Sequence, residues 1–230
     1  VTATVAGADG CRAGWVVAVL HPPGAGPRLD LTVVPSIGPV VDDVAAGRLA
    51  ALAVDMPIGL PESGPRACDV AARRTLGPRR SSVFPAPVRA VLGTATYAEA
   101  LARSRAASGR GLSKQAFNLV PAIAELDAAL TPARRAGVVE AHPEMAFARL
   151  AGAPCAHPKR TAEGRAERLA LLAAAGLGDL STVRLPGSAP DDVLDAAVLT
   201  LTAARAHAGT ADRLGDGTLD ARGLAMEVVV

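Results

Sequence analysis

The chain has 230 residues, half of them hydrophobic, which is enough to bury a full core and is most simply one domain. Aromatic residues are only 2% of it, namely Trp15, Phe84, Tyr97, Phe117 and Phe147, so the core is expected from Ala, Val and Leu, and an RNA-reading module built on aromatic platforms is disfavoured. A net charge of +2 permits a phosphate-bearing partner but is far from the charge of a nucleic-acid coat.

Taken in order, Ala3 to Ala8 reads as a buried strand that delivers Asp9 to its tip, where an unpaired charge is unfavourable. A glycine turn from Gly10 to Gly14 leads to a returning strand, Trp15 to Leu20. Pro22 to Gly26 is a second turn, and Leu29 to Val34 a third strand with one exposed face. Helical spacing over Ile37 to Leu49 precedes a short buried strand, Leu52 to Val54, which runs into Asp55-Met-Pro. From Pro61 to Ala136 strand signals vanish. Arginine-dotted helical stretches at Pro65 to Leu76, Tyr97 to Ser108 and Ser113 to Leu130 read as a helical insertion. A strand over Val138 to Ala141 carries Glu140, helices follow at Pro143 to Leu150, Ala162 to Ala175 and Ala189 to His207, and Met226 to Val230 reads as a last edge strand. Three antiparallel strands, then alternating helices and strands, then a closing helix is the element order of the ribonuclease H-like α/β fold with its mixed sheet. The first and fourth strands of that order lie side by side, which makes Asp9 and Asp55 expected neighbours.

Three strands ending in acids, plus the acids of the closing helix, form the candidate centre. Asp192 and Asp195 are three apart and share a helix face, and Asp195 sits among apolar residues where a solvated acid is out of place. Ser188-Ala-Pro-Asp191 resembles a capping box, which makes Asp191 a helix-start residue. Hard divalent cations such as Mg²⁺ or Mn²⁺ take carboxylate oxygens, and Asp9, Asp55, Glu140, Asp192 and Asp195 are the residue types a phosphoryl-displacing metal centre needs.

The stretches Gly7-Ala-Asp9-Gly-Cys-Arg-Ala-Gly-Trp15, Asp55-Met-Pro-Ile-Gly-Leu-Pro61, Arg80-Ser-Ser-Val-Phe84, Ser113-Lys-Gln115, Glu140-Ala-His-Pro-Glu144, Lys159-Arg-Thr161 and Asp191-Asp-Val-Leu-Asp195 together resemble the DUF429 family, predicted ribonuclease H-like nucleases. The resemblance covers nearly the whole chain and implies the fold and a metal-dependent nuclease activity. By similarity to Holliday-junction resolvase-type members of the superfamily, Asp9 matches the first-strand acid and Asp192 to Ala196 the last-helix motif. Those enzymes carry a glutamate after the fourth strand where this chain has Asp55.

Other residues are candidates with a bland alternative. Only Lys114 and Lys159 among the 24 basic residues are lysines, which points to a need for a compact ammonium, although Lys114 also suits a solvated first helical turn. His142 serves as a general acid or base, or as a histidine satisfied at a helix start. Glu144 reads as a helix-dipole residue. Arg73, Arg74, Arg79 and Arg80 are either a solvated face or a phosphate grip. Arg80, Ser82, Gln115, Lys159 and Thr161 are taken as substrate-binding. No serine-hydrolase pairing, P-loop or dinucleotide G-x-G-x-x-G accompanies them.

Three readings stay open: a phosphodiester hydrolase with a nucleic-acid partner, an enzyme holding a small phosphorylated or nucleotide-like ligand in a closed pocket, and a catalytically silent binding module. Cys11, Cys68 and Cys155 are widely spaced and fit a reducing compartment. The opening residues lack a leader pattern and no apolar run is long enough to span a bilayer, so a cytoplasmic chain without membrane attachment is expected. Oligomeric state is left open by the sequence.

Overall fold

A computed structural model describes residues 1–22, 24 and 28–230. The turn expected over 22–26 therefore lies largely outside the described residues. Strands β1 (Val5–Cys11), β2 (Gly14–His21) and β3 (Arg28–Val34) form an antiparallel meander, and Cys11 pairs with Gly14 to close the first hairpin. Helix α1 (Gly38–Ala45) is shorter than the expected 37–49, since its chain turns at Gly47, where φ is +73°. Strand β4 (Ala51–Val54) then runs parallel to β1, and β5 (Val138–Glu140) parallel to β4. The five-stranded sheet has the order β3-β2-β1-β4-β5, the ribonuclease H-like arrangement in which the first and fourth strands are neighbours.

Between β4 and β5 the chain is helical: α2 (Ala67–Leu76), α3 (Tyr97–Ser108) and α4 (Lys114–Ala129), with short 3₁₀ turns at Gly77–Ser82 and Arg89–Val91. Helix α4 is more than an appendage, because its Ile123 and Leu126 join the core formed by α1 with Ala6, Ala8, Leu52 and Val54. Helices α5 (Pro143–Ala151), α6 (Ala162–Ala174) and α7 (Pro190–His207) cover the opposite face, packing on Val5, Ala51, Ala53, Val139 and Ala141. The expected last edge strand is instead half of a separate two-stranded ribbon, β6 (Arg213–Leu214) with β7 (Val228–Val229). Val229 also bridges in parallel to Ala141, so the ribbon continues the main sheet past β5. Among the described residues no helix is long and apolar enough to cross a membrane.

The two faces follow from the two-residue pleat of each strand. Ala8 pairs with Val54 and Val54 with Glu140, so these three side chains share the α1/α4 face. One residue on, the ladder continues with the Asp55 N–H donating to the Ala8 carbonyl at 2.9 Å and the Ala141 N–H to the Val54 carbonyl at 3.0 Å. Asp9 and Asp55 therefore face α7, and Glu140 faces away from it.

Helix α7 reaches β1 because Gly7 lacks a side chain. A Cβ there would lie 2.2 Å from the Ala196 carbonyl oxygen and 2.7 Å from the Thr200 nitrogen, both main-chain atoms that have no room to yield. This close approach sets Asp195 and Asp192 over the end of β1, where Asp9 projects from the same face as Gly7. Gly7→Ala is expected to lower stability by at least about 1–3 kcal/mol, read as a fall in Tm of about 2–4 °C per kcal/mol; an unchanged Tm would show that α7 tolerates a wider seat.

Candidate active site

The carboxyl ends of β1, β4 and β5, the N-termini of α4, α5 and α7, and the 83–87 and 158–160 segments enclose a cleft of about 640 Å³. Asp9, Asp55, Asp191, Asp192 and Asp195 line it, with Lys159. Asp9 is 8% exposed and Asp195 only 2%. Burial pushes the Asp9 carboxyl well above the ordinary aspartate range, and the neighbouring charges of Asp55 and Asp195 push it further. Asp55 is raised by burial against the opposing influence of His142 and Lys159. Asp195 is pushed up to about 6 by burial, in spite of its ion pair with Lys159. Among the described residues, neither the Asp9 nor the Asp55 carboxylate accepts a hydrogen bond.

One cation answers these acids from within the cluster. Lys159 Nζ is 2.6 Å from Asp195 Oδ2 and 3.7 Å from Asp191 Oδ2. Burial works against its charge, but Asp195 outweighs this and the pKa rises, so the ammonium is permanent at neutral pH. Among the described residues no three His, Cys, Asp or Glu side chains form a ready-made metal cage. The donor set nevertheless fits a hard divalent cation: it consists of carboxylate oxygens, two of the carboxylates are unpaired, and the negative charge exceeds what Lys159 neutralises.

Residues 7–218 match the family described as "Protein of unknown function (DUF429)". The chain belongs to the DUF429 family. No curated protein matches it. Among solved structures it is similar to Thermus thermophilus RuvC in complex with a Holliday junction substrate, at 16% identity, and to Thermus thermophilus RuvC alone, at 17%. Both alignments cover 90% of this chain and 97% of the other, with a TM-score of 0.35.

The acids of this DUF429 chain divide into two groups. Glu140, expected among the metal ligands, lines the same cleft but stands apart from the aspartates, because the pleat turns it to the opposite face and both its oxygens are engaged. Arg66 donates to Glu140 Oε1 at 2.6 Å and to Oε2 at 2.7 Å, and the Ile58 N–H donates to Oε2 at 2.7 Å. Arg66 also pairs with Asp69, whose Oδ2 accepts the Ala86 N–H at 2.8 Å. Arg66 and Asp69 line the cleft and escaped the sequence reading, since nothing local marks a residue paired across 74 positions.

Several other expected site residues are held in structural roles. His142 caps α5: its Nδ1 accepts from the Glu144 N–H at 3.3 Å and its Nε2 lies 3.0 Å from the Ser82 carbonyl oxygen, a pattern that assigns the proton to Nε2 and leaves neither nitrogen free. Ser82 thus contributes its carbonyl to His142 while lining the cleft. Lys114 is exposed at the start of α4, its ammonium 5.9 Å from the centre of the Tyr97 ring and outside the cleft wall, whereas its neighbour Gln115 lines the cleft. Thr161 caps α6, accepting from the Gly164 N–H at 3.0 Å. Arg80 is exposed and lies off the cleft; Arg79 lines it instead, tied to the Cys155 carbonyl at 3.0 Å. Glu144 belongs to a buried pair with Arg168 at 2.7 Å. The expected capping acid of α7 moves by one: the Ala189 N–H donates to Asp192 Oδ2 at 2.7 Å, while Asp191 faces Lys159. Burial pushes Cys68 up to about 12 and Cys155 up to about 11, so neither supplies a thiolate.

Burial raises Glu140 as well, against the opposing influence of Arg66, so the two groups differ in their partners and not in the direction of their shifts. Between an ordinary value of 3.8 and its raised value, a folded-state carboxyl keeps a proton that the unfolded chain has lost, so its contribution is present at low pH and disappears as pH rises; for Asp195 that window ends at about 6. Asp9→Asn is accordingly expected to stabilise the metal-free protein at pH 8, with the gain shrinking toward pH 4, as measured by urea unfolding in chelator. Loss of stability at pH 8 would make Asp9 a structural acid. Glu140→Ala, which strips Arg66 of a buried partner, is expected to destabilise by about 3–5 kcal/mol in the same assay.

Proposed function

We propose that this chain is a metal-dependent nuclease that hydrolyses phosphodiester bonds, with Mg²⁺ or Mn²⁺ held by Asp9, Asp55, Asp195 and Asp192 and nucleic acid as its partner. The observation that carries this reading is the convergence of buried carboxylates on one cleft, with Asp9 and Asp55 unpaired and one ammonium beside them. Burial and mutual repulsion that raise carboxylate pKa values in a cleft are the arrangement by which acid–base and metal sites are tuned.

When bound, a hard divalent cation supplies charge stabilisation at the scissile phosphate. The chain's own residues do the rest. Asp9 and Asp55 extend from the ends of paired strands, so the backbone that carries them is set side by side before substrate arrives. Lys159 sits on a loop at the cleft wall and exchanges its contact with Asp195 for a phosphate oxygen as a compact point charge. His142, with both nitrogens engaged, shapes the cleft wall.

A second reading, an enzyme acting on a small phosphorylated or nucleotide-like molecule, draws on the volume of the cleft, about 640 Å³, which is in the range of small-molecule sites. The deciding experiment is Mn²⁺-dependent cleavage of single-stranded, duplex and branched DNA and RNA by the wild type and by Asp9→Asn. Cleavage by the wild type is expected, abolished by chelator and reduced in the variant by more than the roughly 100-fold that losing an outer partner of a metal site costs. Mn²⁺ is also expected to raise the Tm of the wild type and not of Asp9→Asn. A metal-induced Tm shift without cleavage of any polymer would transfer the assignment to the small-molecule reading.

A further inference from the structure

Of the five aromatic rings in the chain, Trp15 and Phe147 are buried, and the half-buried Tyr97 and Phe117 pack edge to face at 5.7 Å. Phe84 is 41% exposed, and it lines the cleft that holds the unpaired carboxylates.

Its exposure is built into the surrounding structure. The segment around it is tied down on both sides by groups that are themselves fixed. The Ser82 carbonyl faces His142 Nε2 at 3.0 Å, the Val83 carbonyl accepts from Arg73 at 2.6 Å, and the Ala86 N–H donates at 2.8 Å to Asp69, which is locked to Arg66. Val83, Ala86 and Val88 are buried at 3%, 8% and 4%, while Pro85 and Pro87 fix the backbone between them. Residues 83 and 86–88 are buried on either side of the exposed pair Phe84 and Pro85, and the ring is left at the cleft wall. The ring loses little freedom when it meets a planar partner, the condition under which an aromatic contact contributes most to binding.

We infer that Phe84 is a stacking platform for a nucleobase of the substrate. The ligand chemistry that unites this wall with the opposite one is a nucleotide: a phosphate for Lys159 and the carboxylate-held cation, and a flat apolar face for the ring. The inference rests on the phosphodiester reading of the same cleft and adds to it that the substrate presents an unstacked base, as a single strand or a splayed nucleotide does. Stacking of this kind tolerates any base, so the cleft selects for an accessible base and is indifferent to sequence.

The test is the affinity of the full-length chain, in Ca²⁺, for a short fluorescein-labelled single-stranded oligodeoxyadenylate and for an abasic oligomer with the same phosphodiester backbone. Wild type, Phe84→Ala, Phe84→Leu and Phe84→Trp are compared by fluorescence anisotropy, and an unchanged Tm confirms that each variant is folded. The wild type is expected to prefer the base-bearing oligomer. Phe84→Ala is expected to weaken that binding about 5- to 100-fold while leaving the abasic affinity and the salt dependence unchanged. Phe84→Trp restores the preference and Phe84→Leu does not. Equal wild-type affinity for both oligomers, with Phe84→Ala binding as the wild type does, overturns the stacking inference and leaves the phosphodiester reading standing. Absence of wild-type binding to either oligomer overturns that reading and the inference with it.

Discussion

The absence of a side chain at Gly7 is the constraint on which the site depends. With a Cβ there, the main chain of α7 at Ala196 and Thr200 has no place to lie, and the helix carrying Asp192 and Asp195 stands off from the sheet. With glycine, the helix settles on β1 and its acids come to rest over Asp9, two residues along on the same face. The parallel pairing of β1 with β4 then brings Asp55 alongside. This geometry is unfavourable by itself, since it gathers like charges in a buried place. The two apolar cores on either side of the sheet, which are continuous through α1, α4, α5 and α7, hold it in place.

A second kind of buried acid shows what compensation looks like in the same molecule. Glu140 and Asp69 share the guanidinium of Arg66, and Glu144 pairs with Arg168, which also lies 5.4 Å from the centre of the Phe147 ring. Asp127 and Asp220 share Arg89 in the same manner. In a chain with few aromatic rings, the planar guanidinium fills volume and at the same time satisfies carboxylates and backbone carbonyls. Arg66 and Arg168, the buried arginines, are thus internal architecture. Against this background the carboxylates of Asp9 and Asp55, which take no arginine and no hydrogen bond among the described residues, are the exception.

The cleft joins these two systems. The Arg66 network holds the 83–87 wall through Asp69 and Ala86, and His142 holds Ser82 of the same wall, so the side that presents Phe84 is anchored to the same interior that carries the strands. Lys159 stands between them, on a segment that Thr161 caps into α6 and that Arg79 approaches through the Cys155 carbonyl.

The order of strands and helices was legible in the sequence because each element carries its own local signal: apolar β-branched runs for β1, β2 and β4, helical spacing for α5, α6 and α7, and glycines at the turns. The acids that gather at the cleft were legible too, since an aspartate at the end of an apolar strand and Asp195 amid Leu194 and Val198 are anomalies that local reading detects. What local reading does not determine is the face on which each acid emerges. Asp9, Asp55 and Glu140 all follow apolar strands and look equivalent, yet a one-residue offset in the parallel register sends Glu140 to Arg66 and the other two to α7. Register between strands separated by tens of residues is set by backbone pairing and core packing across the whole sheet. For the same reason the partnership of Lys159 with Asp195, 36 positions apart, and the outward turn of Lys114 were decided only when the chain folded.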